Sequence, residues 1–317
     1  MKVEPDDTGK RLDVFLSEFI QRNCLGISRS AIQGLITQGL VVSRDGTPFL
    51  KPHYKIKPGE EIKLAIPQAK DASPQPEPIA LDIVFADEDI AVINKPAGLV
   101  VHPAPGNLQH TLVNGLLFHF GKLSDINPLR PGIVHRLDKD TSGLMVVARN
   151  NFAHLELVRQ FARHDVKRIY VALVKGEVRF DEDVIEMPIG RHPYRRKDMA
   201  CGVGENLRYA KTHYRTLLRK NGFSLLELEP FTGRTHQLRV HLAFLGHPIL
   251  GDKKYGQKDT FYRLALHSRI LGFVHPRLKK YKEFFTSLPL EFEEFLKKGK
   301  VNEFLKEAKK NKDLPRD

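Results

Sequence analysis

The chain has 317 residues, 41% of them hydrophobic, which is enough for a substantial core and, at roughly 100–200 residues per domain, for two domains. No run of about 18 apolar residues occurs, and the start MKVEPDDTGKRLD lacks the basic and apolar regions of a signal peptide, so a cytoplasmic protein without membrane contact is expected. Net charge is +13 but regional: residues 1–190 carry 23 basic and 24 acidic side chains, whereas 191–317 carry 28 and 14, which points the carboxy-terminal third toward a polyanion such as RNA or DNA. Cys24 and Cys201 have no CxxC spacing, which argues against a disulfide framework or a cysteine-rich zinc site.

In chain order, RLDVFLSEFI and SRSAIQGLITQGLV space apolar residues as helices do. Leu12, Phe15, Leu16, Phe19 and Ile20 form the first stripe; Ile32, Leu35 and Ile36 form the second, with Ser28 or Ser30 as cap. VVSRDGTPFLKPHYKIKPGEEIKLAI then breaks into short strand-like runs punctuated by DG and PG. QAKDASPQPEP, residues 68–78, has three prolines and reads as a semi-extended linker between a first domain at 1–67 and a second at 79–290.

From Ile79 strands dominate. IALDIVFADEDIAVINKP predicts two strands around an acidic turn, and GLMVVAR, RIYVALVKG and FSLLELEPF predict more. Helices are predicted at about 151–163, opened by Asn150 or Asn151, and at about 235–245, closed by Gly246. Antiparallel hairpins outnumber βαβ units, so the predicted class is α+β, with a mixed, mainly antiparallel sheet and flanking helices. Residues 291–317 predict a charged amphipathic helix trailing into a loose tail, its charge run a solvated face.

Several ready-made chemistries fail. GVGENL has Leu207 where a dinucleotide fingerprint needs its third glycine, and no phosphate loop GxxxxGK[ST] exists, so no nucleotide cofactor is expected. His236 and His241 stand roughly 140° apart on a helix, which disfavours a zinc hydrolase, and Ser142 lacks the GxSxG elbow of a serine esterase. Asp138 remains, in HRLDKDTSG, residues 135–143. Arg136 and Lys139 beside it favour the charged carboxylate, which is a poor base near neutrality but a competent nucleophile, as in glycosidases. A plain Asp–Arg loop bridge explains the same tripeptide.

The wider context is distinctive. HRLDKDTSGLMVVAR resembles the signature of the RluA-type pseudouridine synthases. NKPAGLVVHP (94–103), KRIYVALVKG (167–176), FTGRTHQLRVHLAFLGHPILGDKKYG (231–256) and LALHSRILGFVHP (264–276) resemble further family blocks in the family's order. The segments LDIVFADEDIAVINKP and IGRHPYRRKDMA are similar to the RluD subgroup, which acts on a large-subunit rRNA stem-loop. The amino-terminal unit resembles the S4 RNA-binding domain, although SRDG (43–46) departs from the commoner VNG turn.

The resemblance implies an isomerase that breaks the N1–C1′ bond of uridine, turns the base and joins C5 to C1′, without a cofactor or metal. Asp138 would be the catalytic carboxylate, attacking C1′ or C6 or removing a sugar proton. Arg136 would enter the RNA where the uridine was, with phosphate binding or a local ion pair as the alternatives. Tyr170 would pack on the uracil, and Arg234 would pair with the aspartate near a helix amino end. The remaining expected RNA contacts are His135, Lys139, Thr141, Arg191, Arg195, Arg196, Lys197, His236, Arg29 and Ser30. Arg239 reads as either a phosphate contact or an exposed helical charge. The expected partner is RNA, most simply large-subunit rRNA or a ribosomal assembly particle, bound by a monomer. Against this stand another rRNA or tRNA target, a silent RNA-binding or assembly protein on the same fold, and a carboxylate-dependent glycosidase.

Overall fold

A computed structural model describes residues 1–22, 29–65, 73–104, 106–195, 198–256 and 261–298. The chain divides into two compact units, Met1–Ala72 and Ser73–Asp317. Of the sequence expectations, Cys24, the Ser28 cap, Arg196, Lys197, residues 68–72 of the linker and the tail beyond 298 lie outside the described residues, as does the side chain of Ser30.

In the first unit α1 (Leu12–Arg22) and α2 (Arg29–Thr37) are followed by β1 (Val41–Ser43) and β2 (Ile62–Leu64), which pair antiparallel with Val41 opposite Leu64. The helical stripes read from the sequence supply the core: Leu12, Leu16 and Ile20 from α1 and Ile32 and Ile36 from α2 are buried with Val41 and Ile62. Asp13, on the first turn of α1, is fully buried. It accepts hydrogen bonds from Arg11 Nε at 3.0 Å, Arg29 Nη2 at 3.0 Å and Gln33 Nε2 at 2.6 Å. Burial works to raise its pKa, yet these donors hold the carboxyl well below the usual range.

The second unit is built on one nine-stranded sheet. Its elements run β3 (Asp82–Ala86), β4 (Ile90–Lys95), α3 (Leu112–Phe120), β5 (Ser142–Ala148), α4 (Asn151–Arg163), β6 (Lys167–Lys175) and β7 (Glu182–Glu186). Next come β8 (Ile189–Arg191), β9 (Met199–Cys201), β10 (Glu205–Arg208), β11 (Lys211–Lys220), β12 (Phe223–Pro230) and α5 (Gln237–Phe244). The unit closes with β13 (Leu266–Val274), β14 (Tyr281–Phe285) and α6 (Leu290–Lys298). The large sheet has the order β3-β4-β5-β13-β6-β12-β11-β7, with β14 paired to β13; β8, β9 and β10 form a small separate sheet. Within the large sheet β5 and β13 pair parallel and the other described pairs are antiparallel.

Strand alternation sorts β4 and β5 side chains onto the two faces. Ala91, Ile93, Met145 and Val147 join a cluster with Leu112 and Leu116 of α3, Leu238 and Leu242 of α5, and Phe292 and Phe295 of α6. Ile90, Val92, Leu144 and Val146 join the opposite cluster with Ala153 and Leu157 of α4. Both faces are covered, which is why β5 is buried along its whole length and apolar from Leu144 to Ala148. The apolar side of α6 anchors it to the core, where Phe292 and Phe295 are fully buried against Phe223 and Phe261.

One glycine fixes where the sheet changes hand of pairing. Gly143 has φ 110°, and a Cβ there would lie 2.2 Å from the Ser268 carbonyl oxygen, so only glycine lets β5 approach β13 at the start of their parallel pair. That point lies five residues after Asp138.

Candidate active site

A cleft of about 540 Å³ is lined by the loop leading into β5, the start of β6, the loop after β12 and the first turn of α5. Of the residues singled out in the sequence, it gathers Asp138, Tyr170, Arg136, His135 and Thr141 with Arg234, His236 and Arg239.

The Asp138 loop is held from beneath. Lys95, at the end of β4, is fully buried, and its ammonium donates to the carbonyls of Pro96 at 2.8 Å, Leu99 at 3.0 Å and Lys139 at 3.0 Å. All three of its donors are thereby used. The Lys139 carbonyl also accepts from Gly98 N–H at 2.9 Å, so the Lys139–Asp140 peptide, one residue past Asp138, is fixed on two sides while the Lys139 side chain stands exposed. Burial pushes the Lys95 pKa down to about 7, against the pull of Asp140 and Asp138.

Asp138 receives Arg239 Nη1 at 3.0 Å, with His236 Nε2 at 3.8 Å from the same oxygen. Behind it, Arg239 forks onto Asp252 through Nε at 2.8 Å and Nη2 at 2.9 Å. Asp252 is fully buried and accepts backbone N–H bonds from Lys254 and Tyr255 at 2.9 and 3.1 Å, which fixes the fork in place. Burial disfavours the Arg239 charge, but its two carboxylate partners outweigh burial and raise its pKa. Burial likewise pushes Asp252 up, and Arg239 together with the Lys254 and Tyr255 N–H groups more than reverses it.

The cation paired with the aspartate is therefore Arg239, not the expected Arg234. Arg234 precedes the helix, and its backbone N–H is tied to Gln237 Oε1 at 3.0 Å; its Nε donates to the Tyr209 carbonyl at 3.0 Å. Neither reading offered for Arg239, phosphate contact or exposed charge, describes a guanidinium clamped between two carboxylates. A signal was present: His236 and Arg239 are three apart, so both reach one side of the first turn of α5. His241 lies on another side, fully buried and bonded to the Met187 carbonyl at 3.0 Å.

Tyr170 lies on β6 with its ring at the cleft and is largely buried; burial raises its pKa. His135 does a different job from RNA contact. Its Nε2 accepts the Val146 N–H at 3.0 Å, and its ring stacks on Phe161 of α4 with centroids 4.5 Å apart. Burial, aided by Arg168, pushes its pKa to about 3, so the imidazole is neutral and braces the loop against β5 and α4. Burial also lowers the pKa of His236, which bonds through Nδ1 to the Tyr255 hydroxyl at 2.7 Å. Thr141 is buried, its N–H on the Asp138 carbonyl at 3.2 Å, and Arg136 is exposed with Nη1 3.5 Å from His102 Nε2.

Arg234 also borders a neighbouring groove of about 620 Å³ that includes Arg191 and Arg208. Arg195 is exposed and pairs with Asp198 at 3.3 Å. In the first unit, Arg29 is engaged by Asp13 rather than free for RNA. The sequence reading missed Lys95, Asp252, Tyr255 and Arg168. Each gets its role from partners distant in sequence. Among the described residues no helix is long and apolar enough to cross a membrane.

Comparison with known proteins matches residues 89–244 to the family described as RNA pseudouridylate synthase. An uncharacterized RNA pseudouridine synthase of Bacillus subtilis, YlyB, is 44% identical over 278 residues, covering 87% of this chain and 90% of that protein. Ribosomal large subunit pseudouridine synthase D of Zymomonas mobilis is 43% identical over 297 residues, covering 90% and 92%. Among solved structures, human RNA pseudouridylate synthase domain containing 1 superposes with a TM-score of 0.56 at 30% identity, over 67% of this chain and 86% of that one.

Proposed function

The chain belongs to the RluA family of RNA pseudouridine synthases, isomerases that act on RNA, and we propose that it converts specific uridines of large-subunit rRNA to pseudouridine, with Asp138 as the catalytic carboxylate. The observation that carries this reading is the Asp138 carboxylate held at 3.0 Å by Arg239 in a cleft that also presents Tyr170. The choice of large-subunit rRNA follows relatives such as the Zymomonas mobilis enzyme, similar over 90% of this chain.

The residues divide the work. Arg239, immobilised by Asp252, aims Asp138 and leaves its second carboxylate oxygen for the sugar or base. Lys95 and Gly98 fix the loop, so the carboxylate spends little freedom on reaching its target. Reaching a paired or stacked uridine requires flipping, which costs a few kcal/mol in unstacking; exposed Arg136 fills the gap and Tyr170 receives the extruded base. Isomerisation is redox-neutral and releases no fragment, so these groups suffice without a cofactor. The groove of Arg191, Arg208 and Arg234 carries flanking phosphates, and the unit at Met1–Ala72 is an S4 domain that helps position structured RNA. The enzyme works as a cytoplasmic monomer.

Pseudouridine mapping of rRNA and tRNA in cells with and without the gene tests the reading. Loss of defined large-subunit marks supports it. Loss confined to tRNA moves the substrate, and an unchanged map with inactive purified enzyme removes the activity.

A further inference from the structure

Arg168 lies two residues before Tyr170 on β6, so strand alternation turns both side chains to the same face of the sheet, and both line the cleft. Its Nη2 donates to the Pro230 carbonyl at 3.0 Å, which pins the guanidinium across the end of β12. Nothing neutralises it: among the described residues Arg168 has no carboxylate partner, and its buried Nε has no acceptor. Gly233, three residues after Pro230, lies against the same guanidinium, where a Cβ would stand 3.2 Å from Arg168 Nη1. The positive field reaches its neighbours, opposing the burial-driven rise at Tyr170 and adding to the fall at His135. A half-buried cation without an anion is costly unless an anion arrives.

We propose that Arg168 is a catalytic residue that receives the negative charge the uracil acquires during the rearrangement, by donating to a uracil carbonyl oxygen. The inference rests on the uridine isomerisation proposed above. If Asp138 attacks C1′, a C1′–O bond forms, the C1′–N1 bond breaks, and its electron pair leaves with uracil as the N1 anion delocalised onto O2 and O4. If Asp138 instead takes the C2′ proton, a glycal forms and the same anion departs. If it adds to C6, the pair of the C5–C6 double bond moves to O4 as an enolate. In every route the charge starts on Asp138 and moves to the base. C5 then bonds to C1′: in the first route it displaces the Asp138 carboxylate, in the second Asp138 returns its proton to C2′, and in the third the C1′–N1 bond breaks as C5 takes its place. Loss of the C5 proton, with expulsion of the carboxylate from C6 in the third route, and gain of a proton at N1 restore a neutral base and a free carboxylate.

The two arginines thus stand at the two ends of the charge's path. Arg239 is neutralised in the resting site by Asp138 and Asp252, while Arg168 is left open. A cation that is satisfied only after the bond has broken stabilises the transition state more than bound substrate, which raises turnover without tightening binding. A phosphate is a poorer occupant, because the flipped nucleotide keeps its phosphates with the strand at the mouth, where Arg136 is exposed.

The test is single-turnover isomerisation at saturating RNA, with RNA affinity and thermal melting measured in parallel, for wild type, Arg168→Gln and Arg168→Lys. Expected is a loss of about 100-fold or more in rate for Arg168→Gln, with affinity nearly unchanged and a partial return of rate in Arg168→Lys. Loss of affinity with an unchanged saturating rate would make Arg168 a phosphate contact and overturn the proposal. So would unchanged rates in both variants, or a fall in melting temperature that accounts for the lost rate in both. Absence of isomerisation by the wild type would instead sink the underlying function, and the inference with it.

Discussion

Asp138 and Arg239, 101 positions apart in sequence, meet at 3.0 Å, and the same guanidinium holds Asp252 through bonds of 2.8 and 2.9 Å. One cation serves two carboxylates, of which one is buried for good and the other faces the cleft. Asp252 thereby fixes the direction from which Arg239 can reach Asp138.

Arg239→Ala should cost about 3–5 kcal/mol of stability, because it leaves Asp252 buried without its cation, and it should abolish turnover. Arg234→Gln should leave melting and saturating turnover close to wild type and weaken RNA binding modestly. Denaturant unfolding and single-turnover assays on both variants check this. Equal loss of turnover in the two would restore Arg234 as the partner of the aspartate.

Lys95 makes stability depend on pH. Its pKa in the fold is about 7, below the ordinary 10.5, so between those values the unfolded chain binds more protons than the folded one. Stability from this group is therefore lowest below about pH 7 and rises as pH climbs toward 10.5. Lys95→Met should remove that rise, of order a few kcal/mol, and slow turnover by loosening the Lys139–Asp140 peptide of the Asp138 loop. Parallel pH dependences of unfolding in wild type and variant would contradict it.

Tyr170 should act as a neutral phenol. Burial lifts its pKa above 10.0, so no ionisation limb from this residue should appear in the rate between about pH 6 and 9. Tyr170→Phe should retain RNA affinity and the shape of the pH–rate profile. A limb in the wild type that vanishes in Tyr170→Phe would assign the phenolate a role.

Arg29→Ala should lower the stability of the first unit by about 1 kcal/mol, a modest figure because the side chain is half exposed. Asp13→Ala should cost more, since it strips the acceptor from Arg11, Arg29 and Gln33 together. The folded pKa of Asp13 lies below 3.8, so its contribution is intact at neutral pH and fades only as acid titrates it. An RNA-affinity loss in Arg29→Ala with unchanged melting would return Arg29 to the RNA surface.

Local pattern made much of the fold legible. The helix predicted at 151–163 is Asn151–Arg163, because Asn150 caps it through the Ala153 N–H at 2.9 Å and its apolar stripe repeats at helical spacing. The helix expected at about 235 starts at Gln237, because His236 takes φ 56°. α3 was missed; its sequence LVNGLLFHF is apolar on nearly every side, and its start depends on Asn114 accepting from Thr111. In the cleft, Asp138 and Tyr170 were legible through the family resemblance; residue chemistry alone reads the first as a loop bridge and the second as a strand-core side chain. Arg239 and Lys95 were not, because a clamp on a distant carboxylate and a cage of three carbonyls exist only once β4, the Asp138 loop and α5 have come together.

The most direct test is isomerisation by the purified protein under single-turnover conditions, at saturating large-subunit rRNA or assembly intermediate, comparing wild type with Asp138→Asn. The account predicts pseudouridine formation by the wild type and none by Asp138→Asn, with RNA affinity nearly equal in the two. Turnover retained by a folded Asp138→Asn would contradict it.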